Sequence, residues 1–299
     1  MPELRKDPNS QRWVIVATER ARRPGNLIKT DEGFSDLSQS KDLLSDQVEY
    51  IENHDDLYST ASGYGVSASV SAGDNLISLS DMSVDQIEAQ LHNYVAKFEE
   101  VKEKEHLKYA LLYKNDSGES SIENVSSHAQ ILATPVAPLT LQKKYDGARD
   151  YFAEHKSCLY EDILQQELKD NERVVAQNDD FLVYIPFAAR FIFEMSIIPR
   201  AHHAYFTKGI VGRERALAEV LRSALYKIRH GLNNAAYTVA LYTAPINPDC
   251  ADEGLLKSFR WHMDIVPRLT HTAGFEKGTG FYINSVPPEA GAEYLRGVL

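Results

Sequence analysis

His128-Ala129-Gln130 lies between a polar stretch and an apolar one. Neutral imidazole is nucleophilic near pH 7 and also leaves readily, so a histidine at a strand edge can attack phosphorus and later be released. In an extended chain, residues two apart share a face. Gln130 therefore stands beside His128, where an amide N–H can meet a non-bridging phosphate oxygen. Alone, His-x-Gln is a weak pattern. Arg20-Ala21-Arg22-Arg23-Pro24 adds forked guanidinium donors of the kind that hold phosphate, although by itself it reads more simply as a solvated basic loop. The pair His202-His203 points to opposite faces if extended, which argues against a shared metal. Gly274, Gly278 and Gly280 permit either a close backbone approach to a ligand or a plain turn.

The elements that must position these residues follow from periodicity. Ser83 with Gln86 forms a capping box, and Val84, Ile87, Leu91, Val95, Phe98 and Val101 then fall on one helical face. Strands are expected at 13–17, 109–113 and 129–133, and residues 59–73 are left open between helix and strand. Residues 145–169 read as helical. Further strands are expected at 181–185, 193–198, 237–242 and 261–266, with a second amphipathic helix over 214–230. Both halves thus run strands, long helix, strand pair, which suggests an internal duplication of an α+β unit: an N-terminal half over 1–144 and a C-terminal half over 145–299.

Composition narrows the function classes. The 299 residues are 43% hydrophobic with a net charge of −11, a globular chain without the basic surface of a general nucleic-acid binder. Cys158 and Cys250 make neither a disulfide framework nor a Cys-pair zinc site. No apolar run reaches membrane-spanning length, and the charged N-terminus lacks a signal-peptide core. A cytoplasmic protein with reduced thiols is expected.

Read together, these segments resemble the galactose-1-phosphate uridylyltransferase family of the histidine-triad superfamily. The likeness runs through Glu3-Leu4-Arg5-Lys6-Asp7-Pro8, Arg12-Trp13-Val14-Ile15, Arg20 to Pro24, His128-Ala129-Gln130, Pro186-Phe187-Ala188, Val266-Pro267-Arg268-Leu269 and Ala273 to Asn284. It implies tandem histidine-triad-like halves, with mainly antiparallel sheet flanked by helices. It also implies a nucleotidyl-His128 intermediate formed from a nucleotide-sugar and passed to a phosphorylated acceptor such as hexose 1-phosphate. Relatives include ADP-glucose and dinucleotide phosphorylases, so the base is open between uracil and adenine. Gln130 replaces the third histidine of related hydrolases. Substrate contacts map onto Arg20, Arg23, Asn53, Asn115, Ser120, Ser121, Phe275 and Lys277. A homodimer without cofactor is implied.

The departures are specific. Many members hold zinc through Cys-x-x-Cys and histidines, whereas here the region just after Pro24 contains no cysteine and the other two positions carry Asp74 and Ser126. At a second site they carry Ser157, Tyr160 and Arg260, leaving only His202. A metal-free protein is therefore expected. In the turn before His128, Glu119 and Glu123 would repel a diphosphate if they faced it, which favours a non-catalytic nucleotide-binding protein as the alternative.

Overall fold

The computed structural model describes residues 2–17, 78–104, 107–116 and 129–298, together with the backbone of 66–70. In chain order its strands are β1 (Glu3–Lys6), β2 (Trp13–Val16), β3 (Val66–Val70), β4 (Tyr109–Asp116), β5 (Ala129–Thr134), β6 (Val174–Gln177), β7 (Phe181–Tyr184), β8 (Met195–Pro199), β9 (Tyr237–Tyr242), β10 (His262–Pro267) and β11 (Tyr282–Asn284). Its helices are α1 (Val84–Lys102), α2 (Leu139–His155), α3 (Leu159–Asp170), α4 (Phe206–Gly209), α5 (Glu214–Gly231), α6 (Glu253–Ser258), α7 (Gly274–Thr279) and α8 (Pro288–Arg296).

Alternation in β4 and β5, where every second residue is buried, gives the large sheet two different faces. Its order is β3-β5-β4-β9-β10-β8-β7-β6, antiparallel throughout. On one face Leu112, Ile131, Leu241, Met263 and Ile197 join the apolar stripes of α1 and α5 in the main core. Each such side chain, fully buried, contributes about 1.5–3 kcal/mol. The other face is partly covered by α2, α3 and α6 through Tyr145, Tyr160, Phe259 and Leu164. A small sheet, β1-β2-β11, stands apart from the large one. No helix among the described residues is long and apolar enough to cross a membrane.

The duplication is visible in the topology. β3-α1-β4-β5 and β8-α5-β9-β10 share a strand–helix–strand–strand order, and in each the last strand lies between the other two. The copies join where β4 pairs with β9. The division expected after residue 144 falls inside α2. Ser83 caps α1 as read from the sequence: its hydroxyl accepts the Gln86 N–H at 3.2 Å, and the Gln86 side chain accepts the Ser83 N–H at 2.8 Å.

Three expectations need correction. The helix read over 145–169 is two helices, α2 and α3. Lys156 takes a left-handed φ of 59° and ends the first. The strand expected from Phe193 begins only at Met195, because Phe193 is itself left-handed at φ 59°. The glycine run is not a plain turn: it forms α7, capped by left-handed Gly280 at φ 72°.

Candidate active site

Gln130 on β5 lies directly opposite Tyr113 on β4, and its Oε1 accepts the Tyr113 hydroxyl. Tyr113 lies opposite Ala240, Ala240 opposite Asp264, and Asp264 opposite Ser196. Directly paired residues present their side chains to one face. One row therefore crosses five strands, with Gln130 and Asp264 roughly 14 Å apart at ordinary strand spacing. Asn115, two residues beyond Tyr113, shares this face, and its Oδ1 accepts the Thr238 hydroxyl at 2.7 Å. At Gln130, Tyr113, Asn115 and Thr238 the face is half-buried or exposed, within reach of a ligand.

Toward β10 the same face closes. Lys144 on α2 donates from Nζ to His262 Nε2 at 2.7 Å and to Asp264 Oδ2 at 3.0 Å, and it lies 4.1 Å from the centre of the Tyr242 ring. His262 Nδ1 donates to the Arg260 carbonyl at 2.9 Å. With Nε2 accepting and Nδ1 donating, the imidazole is neutral. Burial, reinforced by the Lys144 charge, brings its pKa down to about 3. Burial pushes the Asp264 carboxyl up, but Lys144, His262 and Arg190 outweigh it and hold the pKa at about 2. Ser196 donates to Asp264 Oδ1 at 3.0 Å. Glu194 fixes the adjoining turn by accepting the Arg190 backbone N–H at 2.6 Å and its guanidinium at 3.0 Å.

The two copies differ at equivalent places. Tyr113 opposes Gln130 in the first as Tyr242 opposes His262 in the second, and each strand meets a proline five residues on, Pro135 and Pro267. The first pair is half-buried, whereas the second is buried beneath Lys144.

Zinc at the second position implied by the family resemblance fails on the chemistry of the residues present. Arg260 is fully buried there. Its Nη1 donates to the carbonyls of Pro199 at 2.8 Å and Arg200 at 3.1 Å, and its Nη2 pairs with Glu161. Burial first, and then the Arg260 charge, lowers the pKa of neighbouring His202. Tyr160 donates its hydroxyl to Asn9 at 3.1 Å. A fixed guanidinium repels a divalent cation, so these residues do not fit the metal. Among the described residues no group of three or more His, Cys, Asp or Glu is placed to hold one.

Of the residues singled out from the sequence, the fold brings Gln130 and Asn115 together. His128, Arg20, Arg23, Asn53, Ser120 and Ser121 lie outside the described residues, as do Asp74 and Ser126. Phe275, 45% exposed, and Lys277 stand on α7, which leads into the small sheet. A cleft of 480 Å³ between the β1–β2 turn, α2 and the α7–β11 segment, with Arg12, Trp13, Lys143 and Phe281 among its walls, contains neither Gln130 nor Asn115. Sequence reasoning missed Tyr113, Thr238 and the Lys144 network. A signal existed for Tyr113 alone, through strand pairing.

The model of the galactose-1-phosphate uridyl transferase C-terminal domain matches residues 144–279. Across 99% of this chain and 93% of the relative, identity to an ADP-glucose phosphorylase of Arabidopsis thaliana is 29%. Identity to a galactose-1-phosphate uridylyltransferase of Thermotoga maritima is 26%, over 99% and 98% of the two chains. The crystal structure of the Arabidopsis thaliana ADP-glucose phosphorylase with bound ADP-glucose superposes with a TM-score of 0.79 and 29% identity, covering 100% of both chains. A uridylyltransferase structure at 21% identity, TM-score 0.72, shares the fold. Fold and relatives define the class, the nucleotidyltransferases of carbohydrate metabolism. Within that class, the chain is similar along almost its whole length to galactose-1-phosphate uridylyltransferases and to an ADP-glucose phosphorylase.

Proposed function

We propose that this protein carries a nucleoside monophosphate from a nucleotide-sugar to a phosphorylated acceptor through a covalent adduct on His128. An imidazole nitrogen attacks the α-phosphorus, the bond to the β-phosphate oxygen breaks, and sugar 1-phosphate departs. A phosphate oxygen of the acceptor then attacks the same phosphorus, and the P–N bond breaks to free His128. With hexose 1-phosphate as acceptor the product is a new nucleotide-sugar. The observation that carries this reading is Gln130, placed on the ligand-accessible face two residues after His128 with its carboxamide oxygen committed to Tyr113. That leaves amide N–H groups for charge developing on a phosphate oxygen.

A second reading, adenylyl transfer from an ADP-sugar to inorganic phosphate, is favoured by the 29% identity to ADP-glucose phosphorylase along almost the whole chain. Both readings use the same adduct, in a cytoplasmic homodimer that needs no metal. Incubating the protein separately with UDP-glucose and ADP-glucose, without acceptor, tests them by intact mass. The gain of one nucleoside monophosphate from either donor, absent in His128→Ala, is the expected result, and the donor that reacts identifies the base. If neither donor modifies the chain or releases glucose 1-phosphate, transfer is refuted in favour of a non-catalytic nucleotide binder.

A further inference from the structure

A carboxamide is nearly symmetric in shape but opposite in polarity at its two ends. Beside a phosphoryl group one orientation offers a donor and the other a repelling lone pair. Something outside the glutamine must therefore fix its flip. On β4 and β5 the Tyr113 hydroxyl donates to Gln130 Oε1. Burial raises the Tyr113 pKa, which keeps the phenol protonated and able to donate. The two residues are direct partners in the ladder, so backbone register brings them together before any ligand arrives. The arrangement recurs one pair further along the same face: Thr238 on β9 donates to Asn115 Oδ1 on β4 at 2.7 Å. In both cases a hydroxyl on the neighbouring strand takes up the oxygen and leaves the amide nitrogen to donate. The equivalent pair of the second copy lacks the device. There the Tyr242 ring stacks on His262 at 5.1 Å and 25°, with no carboxamide to orient.

We infer that Tyr113 is a positioning residue whose hydroxyl sets the Gln130 amide so that its N–H groups face the phosphoryl group in transfer. The inference rests on the nucleotidyl-transfer reading for its kinetic consequence but not for its binding consequence, so the two can be tested apart.

The variant is Tyr113→Phe, which keeps the ring and its packing. The kinetic probe is the pair of α-phosphorothioate diastereomers of the reactive nucleotide-sugar, each with sulfur in place of one non-bridging oxygen. The wild type should prefer one diastereomer. Tyr113→Phe should lower kcat on the ordinary substrate about tenfold, leave KM nearly unchanged and erase the diastereomer preference, as should Gln130→Ala. Tyr113→Phe added to Gln130→Ala should cost nothing more. A purely structural role for Tyr113 would lower Tm or rate but keep the preference, and that result overturns the inference.

The binding probe is the affinity for UMP and AMP, measured by calorimetry on the same four proteins. Tyr113→Phe should weaken binding about fivefold when Gln130 is present and not when it is absent. Coupling in binding without any adduct on the wild type would refute transfer and keep the positioning role. An active wild type with no coupling in either assay would refute the positioning role and keep transfer. A wild type that neither forms the adduct nor binds either nucleotide refutes both.

Discussion

Lys144 contacts His262 and Asp264 at once, and its charge adds to burial in keeping His262 neutral and outweighs burial in keeping Asp264 ionised. For His262, a folded pKa of about 3 lies below the ordinary 6.5, so the unfolded chain takes up the proton first. Stability from the neutral imidazole is complete above pH 6.5 and is lost as pH falls toward 3. Asp264, at about 2 against an ordinary 3.8, loses its contribution over the lower end of the same range. Tm should therefore fall steeply between pH 6.5 and 4 in the wild type and more shallowly in His262→Asn. Parallel Tm–pH curves would show that His262 is not the group responsible. Gln130 was legible in the sequence because its spacing from His128 fixes a shared face. Lys144 was not. It adjoins exposed Lys143 in a run of two lysines, and only the way α2 lies on the sheet sends one inward and the other to solvent.

At the scale of elements, the long amphipathic helices and most strands could be read from periodicity, because each buries a single face. The failures share a cause. Lys156 and Phe193 adopt left-handed conformations that glycine or asparagine would have announced; Lys156 closes its helix through the Phe152 carbonyl, and Phe193 packs against the Tyr294 ring. α2 also approaches the β1–β2 turn so closely that a Cβ on Gly147 would stand 1.7 Å from the Asn9 carbonyl oxygen. Backbone cannot yield as a flexible side chain does. Gly147→Ala should destabilise the protein by about 3 kcal/mol or more in urea unfolding, by forcing α2 from the turn. A loss below about 1 kcal/mol would mean that the helix shifts freely, and with it the reach of Lys144.

At the scale of the molecule, eight antiparallel strands and two helical layers hold the chain together, and the second metal position of the family is taken by Arg260 and its carbonyl and Glu161 partners. Stability should not depend on zinc. Metal analysis of purified protein should find none in stoichiometric amount, and EDTA should leave Tm unchanged; a fall of several degrees would contradict this. The duplication was legible as a repeated order of elements, but the unequal fate of its two halves was not, because it turns on a single side chain arriving from the connecting helix. Two copies of one unit would ordinarily carry two ligands. With Lys144 filling the place beside Tyr242 and His262, the symmetry stops at the backbone. The expected binding stoichiometry follows: one nucleotide for each chain, since the equivalent place in the second copy is already filled.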